Sequence, residues 1–283
     1  MTTRALNSAD RGQGPYLWRF TPLQRTLHAL VIASFFGLVL TGLPLHFAQA
    51  GWARVLVGLT GGVEGAGIIH RLCALITFGY FTTHLVSLAR KLRRGGGWKR
   101  VLWGPESMVP QPRDFRDLVQ MFRWFLGRGP RPRFDRFSYM EKFDYLAVFW
   151  GVAIIGASGL LLWFPEFFAR FLPGWVFNVA TIVHGDEALL ALSFIFTVHF
   201  FNVHLRPGKF PIDLVIFTGR ATAGYMREEH PLEYERRLAA GELDQLVAPP
   251  VSRTAYLWST VLGFASLGLG IIIIGLVLWA VLH

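Results

Sequence analysis

Apolar residues in this chain gather into five long runs: Leu27 to Phe47, Ile68 to Ala89, Leu146 to Phe164, Phe177 to Leu205 and Tyr256 to Leu282. As helix, each is long enough to cross a hydrocarbon core of about 30 Å. Nearly all charged residues fall between the runs, so the pattern predicts an all-α integral membrane helical bundle. It divides into a polar arm at residues 1–20, a four-helix region with its loops at 21–238, and a linker with a fifth, C-terminal transmembrane helix at 239–283. Thr21 stands ready to cap the first helix, with Pro22 at its first position. Thr41, Gly42 and Pro44 are expected to break that helix near its far end, where His46 emerges.

Composition agrees. Of 283 residues, 53% are hydrophobic and 16% charged, which excludes an ordinary soluble domain. The net charge is +10, and its placement argues against a nucleic-acid surface. Arg4, Arg11, Arg19 and Arg25 precede the first run. The connections at 90–142 and 206–253 carry fourteen and seven Lys and Arg, whereas Arg54 and Arg170 stand alone in the other two. This alternation predicts a cytoplasmic N-terminus and an outside C-terminus in a bacterial inner membrane. The first twenty-five residues are too polar for a cleavable signal, so the first span would direct insertion. The single cysteine, Cys73, rules out a disulfide framework, a CxxC metal site or a CxxCH haem attachment.

Histidine is the chemistry that remains. The fourth run, ATIVHGDEALLALSFIFTVHFFNVHLRP, carries His184, His199 and His204, and ionisable groups at membrane depth need a reason to be there. His184 and His199 are fifteen residues apart, about 22 Å along an α-helix and about 60° from whole turns. His70 and His84 on the second run are fourteen apart. With the predicted topology His70 and His184 fall at the outer side, and His28, His84, His199 and His204 at the inner side. Two layers of histidine suit two non-covalent b haems with their irons about 20 Å apart, each held by a pair of imidazoles. The outer pair is His70 with His184. At the inner site, parallel spacing pairs His84 with His199. His204, about 140° from His199 in α geometry, would line a quinone pocket with Asn202, ligate a third haem or serve the fold.

Other residues change the picture less. Arg71, deep in an apolar run, would pair with a haem propionate or extend to the interface. PRDFRDLVQMFRWFLG is an amphipathic helix suited to the headgroup plane or to a second subunit. Gly151, Gly156 and Gly159 permit close approach of a helix or a flat macrocycle. Asp213 would start a helix or assist proton transfer.

From Phe20 to Leu238 the chain resembles the cytochrome b, or gamma, subunit of membrane-bound formate dehydrogenases and the b-type cytochromes of nickel-iron hydrogenases. The carriers are QRTLHAL, FWGVAIIGASGLLLWFPEFFARFLP followed by IVHGDEALLAL, and HFFNVHLRPGKFPIDLVIFTGRATAGYMREEHPLEY, with GR, HP and Tyr234 in order. The resemblance implies outer-haem ligands at His70 and His184 and inner-haem ligands at His28 and His199. His84, His204 and the fifth span depart from that pattern. His84 is similar in spacing to the cytochrome b of quinol-oxidising bc complexes, whose second helix serves both haems.

The expected function is a membrane b-type cytochrome passing electrons between the quinone pool and a redox partner subunit, a multihaem cytochrome c or an iron-sulfur protein. Quinone chemistry is expected at the inner face, near His199 and His204. The competing class is a membrane scaffold or transporter with structural histidines, which predicts mid-span carboxylates and repeated halves. The sequence has few of the first and none of the second.

Overall fold

The structure is a computed structural model that describes residues 14–94, 97–206 and 208–283. In chain order it runs β1 (Tyr16–Trp18), α1 (Pro22–His46), α2 (Gly51–Leu59), α3 (Gly62–Arg94), α4 (Gly97–Trp103), α5 (Pro112–Phe125), α6 (Tyr139–Trp163), α7 (Pro165–Phe168) and α8 (Trp175–Phe194). Two π-helical turns follow, Ile195–His199 and Phe201–Leu205. The chain then continues through α9 (Val215–Thr218), β2 (Arg220–Thr222), α10 (Ala223–Glu229), α11 (Pro231–Ala239), β3 (Val247–Ala248) and α12 (Arg253–Leu282).

Five helices are long and apolar enough to cross a membrane: α1, α3, α6, α8 with its π-helical extension, and α12. This is the make-up of a multi-pass membrane protein. Their apolar side chains face outward, as bilayer-facing residues do; Trp150 is 58% exposed and Ile271 64%. The break expected at Thr41 to Pro44 does not occur, because α1 continues through Pro44 to His46. A proline so near a helix end removes one ladder bond and ends little else. The start of α1 is as expected: Thr21 Oγ1 accepts from the Gln24 N–H at 3.3 Å, and Gln24 Oε1 accepts from the Thr21 N–H at 2.9 Å.

The chain divides into two compact units. The first takes its described residues from Met1–Arg25, Ser87–Leu146 and Pro207–Thr260; the second comprises Thr26–Val86, Ala147–Arg206 and Val261–His283. The second unit is helical. Its core joins Val39 and Leu43 of α1, Leu192, Phe196 and Phe200 of the histidine helix, and Ile273 of α12. Gly270 lets α12 in: a Cβ there would meet the Phe196 and Phe200 rings at 2.7 Å. The last helix therefore belongs to the bundle.

The first unit holds a three-stranded sheet in the order β2-β1-β3, both pairs antiparallel. Residues 1–13 of the expected arm lie outside the described residues, but Tyr16–Trp18 is the central strand. Leu17 turns inward onto Ala221, Ala223 and Met226, and Trp18 turns outward under the Arg220 guanidinium, 4.6 Å from its ring centroid.

Candidate functional site

The histidine pair expected at the outer side lies within the helical unit. His70 of α3 and His184 of α8 approach with ring centroids 6.2 Å apart and planes inclined at 62°. Each ring is held at Nδ1. The His70 Nδ1 lies 3.0 Å from Thr41 Oγ1, whose own proton goes to the Gly37 carbonyl at 2.6 Å, so the ring nitrogen is the donor. The His184 Nδ1 lies 3.0 Å from the Ile155 carbonyl, which only accepts, and 3.2 Å from Ser158 Oγ. Bonding thus assigns the proton to Nδ1 on both rings, leaving Nε2 as the nitrogen with a free lone pair. A metal-bound histidine is oriented in this way, through its second nitrogen.

The spacing fits a shared metal. Two imidazoles bonded through Nε2 on opposite sides of one ion, with metal–nitrogen bonds of about 2 Å, would place their centroids about 6 Å apart. Two imidazoles alone are too few for a structural zinc ion, and among the described residues no group of three or more His, Cys, Asp and Glu could hold a metal ion. Two are enough for the axial positions of a haem, whose macrocycle supplies the other four donors. Small residues line the rings: a Cβ on Gly42 would come within 3.2 Å of His70 Cε1, and one on Gly159 within 3.0 Å of His184 Cε1.

Neighbouring residues take other places. Arg71 lies over the Trp163 ring at 5.9 Å. His46, exposed, sits against Gly185. Glu187 accepts from Trp150 Nε1 at 3.3 Å. Gly156 accommodates the Phe78 ring, so the small residues of α6 serve helix packing there and imidazole packing at Gly159. Sequence reasoning passed over Thr41, Ile155 and Ser158 as ring-orienting groups. A backbone carbonyl leaves no signal in sequence, and Thr41 reads as a helix breaker.

His199 and His204 sit where the fourth spanning helix changes its winding. The Phe200 N–H bonds back to the Ile195 carbonyl, and the Arg206 N–H to the Phe201 carbonyl at 2.8 Å, both five residues apart. Such π turns are rare and favour functional sites. They advance about 80° per residue, which has two consequences. His199 falls within about 20–40° of the His184 face instead of about 60° away, and His204 about 50° from His199 instead of about 140°. The α-helical rotation expected for His204 is therefore corrected by the local winding.

His28 of α1 lies in the neighbourhood of His199 and His204. Phe200 stands between the latter two, 6.2 Å from the His199 ring and 5.4 Å from His204. His84 instead rests edge-on against Phe149 at 5.8 Å. Asn202 spends its amide on the Val198 carbonyl at 2.9 Å.

In the sheet-containing unit the motif residues hold the fold together. Gly219 has φ +74°, and a Cβ there would meet the Phe20 carbonyl at 2.8 Å. Arg220 donates to the Pro249 and Pro250 carbonyls at 2.9 and 2.7 Å. Glu233, fully buried, accepts from Arg19 and Arg136 at 2.8 Å and from Arg237 at 3.0 Å. Burial alone would raise its carboxyl, but the Arg136 and Arg19 guanidinium groups outweigh burial and bring it down to about 2. His230 lies 2.9 Å from Arg19 Nη2 and 2.8 Å from the Asp135 carbonyl; burial, joined by the Arg19 charge, pushes it down to about 4. Asp213 accepts from the Val215 N–H at 2.8 Å at the start of α9, and its other oxygen accepts from Tyr225 at 2.8 Å and pairs with Lys209.

Comparison with protein-family models and with curated proteins finds no match for the chain.

Proposed function

We propose that the chain is a membrane-embedded b-type cytochrome, a subunit that passes electrons between the quinone pool and a redox partner subunit. It is of the kind seen in the gamma subunits of formate dehydrogenases and the cytochromes of nickel-iron hydrogenases. It would span a bacterial inner membrane with its N-terminus in the cytoplasm and its C-terminus outside. The observation that carries this reading is the pair His70 and His184: two imidazoles 6.2 Å apart on separate spanning helices, each tied at Nδ1. A haem held there would supply one-electron chemistry, its potential set by axial ligands, hydrogen bonds and burial. Thr41 and Ile155 would fix the tautomer and raise the basicity of the ligating nitrogens. At the second site His28 and His199 are the favoured ligands: the family resemblance implies this pair, and the π turns bring His199 round toward the His184 face. His204 would lie beside that site, where quinone chemistry is expected, or ligate a third haem.

The test is haem content per polypeptide on purified protein, by pyridine haemochrome with a dithionite-reduced spectrum. About two b haems are expected, and His70→Ala and His184→Ala should each remove the same one. No haem, or a different haem lost in each variant, overturns the reading.

A further inference from the structure

Helix α5 presents an apolar stripe that nothing among the described residues covers. At about 100° per residue, Val119, Phe122 and Leu126 lie within about 40° of Phe115. All four are exposed, Phe115 by 69%, Phe122 by 61% and Leu126 by 67%. The stripe is held rigidly, because a face about 110° round the helix is buried. There Lys142 Nζ lies 2.9 Å from both oxygens of Asp114, and Met121 is enclosed. Beside the stripe, on its other side, Arg116 and Arg123 project about 90° away. Both are exposed, and neither pairs with a carboxylate among the described residues. The one acid between Phe115 and Arg128, Asp117, faces away and pairs with Arg113.

We infer that α5 lies in the membrane surface, with Phe115, Val119, Phe122 and Leu126 at the acyl boundary and Arg116 and Arg123 on the phosphates of anionic phospholipid. An apolar stripe flanked by cations alone is complementary to such a surface. Exposed Trp124, Trp98 and Trp103 belong to the same unit, with Lys99 over the Trp98 ring at 5.8 Å, and tryptophan favours the headgroup layer. The chain also tethers α5 between two spanning helices, α3 and α6, which keeps it at a bilayer. The inference holds whether or not the protein carries haem.

Site-directed spin labelling of the full chain tests it, in a Cys73→Ser background reconstituted into nanodiscs. Labels go at Phe115→Cys, Val119→Cys, Phe122→Cys, Arg116→Cys and Arg123→Cys, one at a time. In discs containing phosphatidylglycerol, the ratio of collision with oxygen to collision with an aqueous nickel chelate should be several-fold higher at the three stripe positions than at the two arginine positions. That contrast should shrink several-fold in pure phosphatidylcholine, and at Val119→Cys when Arg116→Gln and Arg123→Gln are added. Uniform water access at all five positions overturns the inference. So does equal insertion in both lipids, which removes the anionic requirement, or protection of the stripe only when a second protein is co-reconstituted.

Discussion

The two units bury polar groups in opposite ways. In the sheet-containing unit, the buried Glu233 is surrounded by Arg19, Arg136 and Arg237, and His230 is engaged by Arg19 and Asp135. Charge is met on every side, as a cluster that specifies a fold requires. In the helical unit, His70 and His184 are each anchored at one nitrogen and lie with ring centroids 6.2 Å apart. The difference separates a structural cluster from a candidate site better than burial or residue type does, since both units contain buried histidine.

That contrast can be broken in several places, from the largest expected effect downward. His28→Ala should remove a whole haem while His84→Ala keeps full haem content, read by pyridine haemochrome; the reverse would move the second site onto the α3 histidine. Glu233→Ala leaves three guanidinium groups without their shared carboxylate, and should destabilise the sheet-containing unit by about 3 to 5 kcal/mol in thermal unfolding, without changing haem spectra at low temperature.

Acid should act on the same unit. His230 is held neutral down to about pH 4, whereas in the unfolded chain it binds a proton near its ordinary 6.5. Its contribution, on the order of 3 kcal/mol, is therefore present above pH 6.5 and lost as pH falls toward 4. Glu233 has a carboxyl lowered to about 2 from an ordinary 4.5, so its share is lost below that, between 4.5 and 2. Protease susceptibility of the 207–260 segment should rise across the first of these windows; a flat profile from pH 7 to 4 would show that the cluster does not govern the unit. The smallest effect belongs to the ring anchors. Thr41→Val removes the side-chain acceptor for His70 Nδ1 and should weaken retention of the outer haem by about 10-fold, with a shift in its midpoint potential, while leaving the other haem untouched.

Much of this architecture was legible in the residues. The five spans follow from unbroken apolar length, and the meeting of His70 with His184 follows from where each stands in its run. Other features were not legible. β1 is three residues long, too short to carry an alternating pattern, and its pairing depends on residues more than two hundred positions away. The winding between Ile195 and Leu205 is hidden as well, because a π turn is a choice of hydrogen-bond register that apolar side chains on every face do not encode.

Sequence by itself determined which segments are apolar enough to enter a bilayer and which carry imidazole, because burial of apolar surface needs only composition and length. Tertiary structure alone decided which nitrogen each paired ring keeps and how His199 and His204 are turned. Those depend on angles between helices and on single hydrogen bonds, such as His184 to the Ile155 carbonyl, that no local pattern of residues specifies.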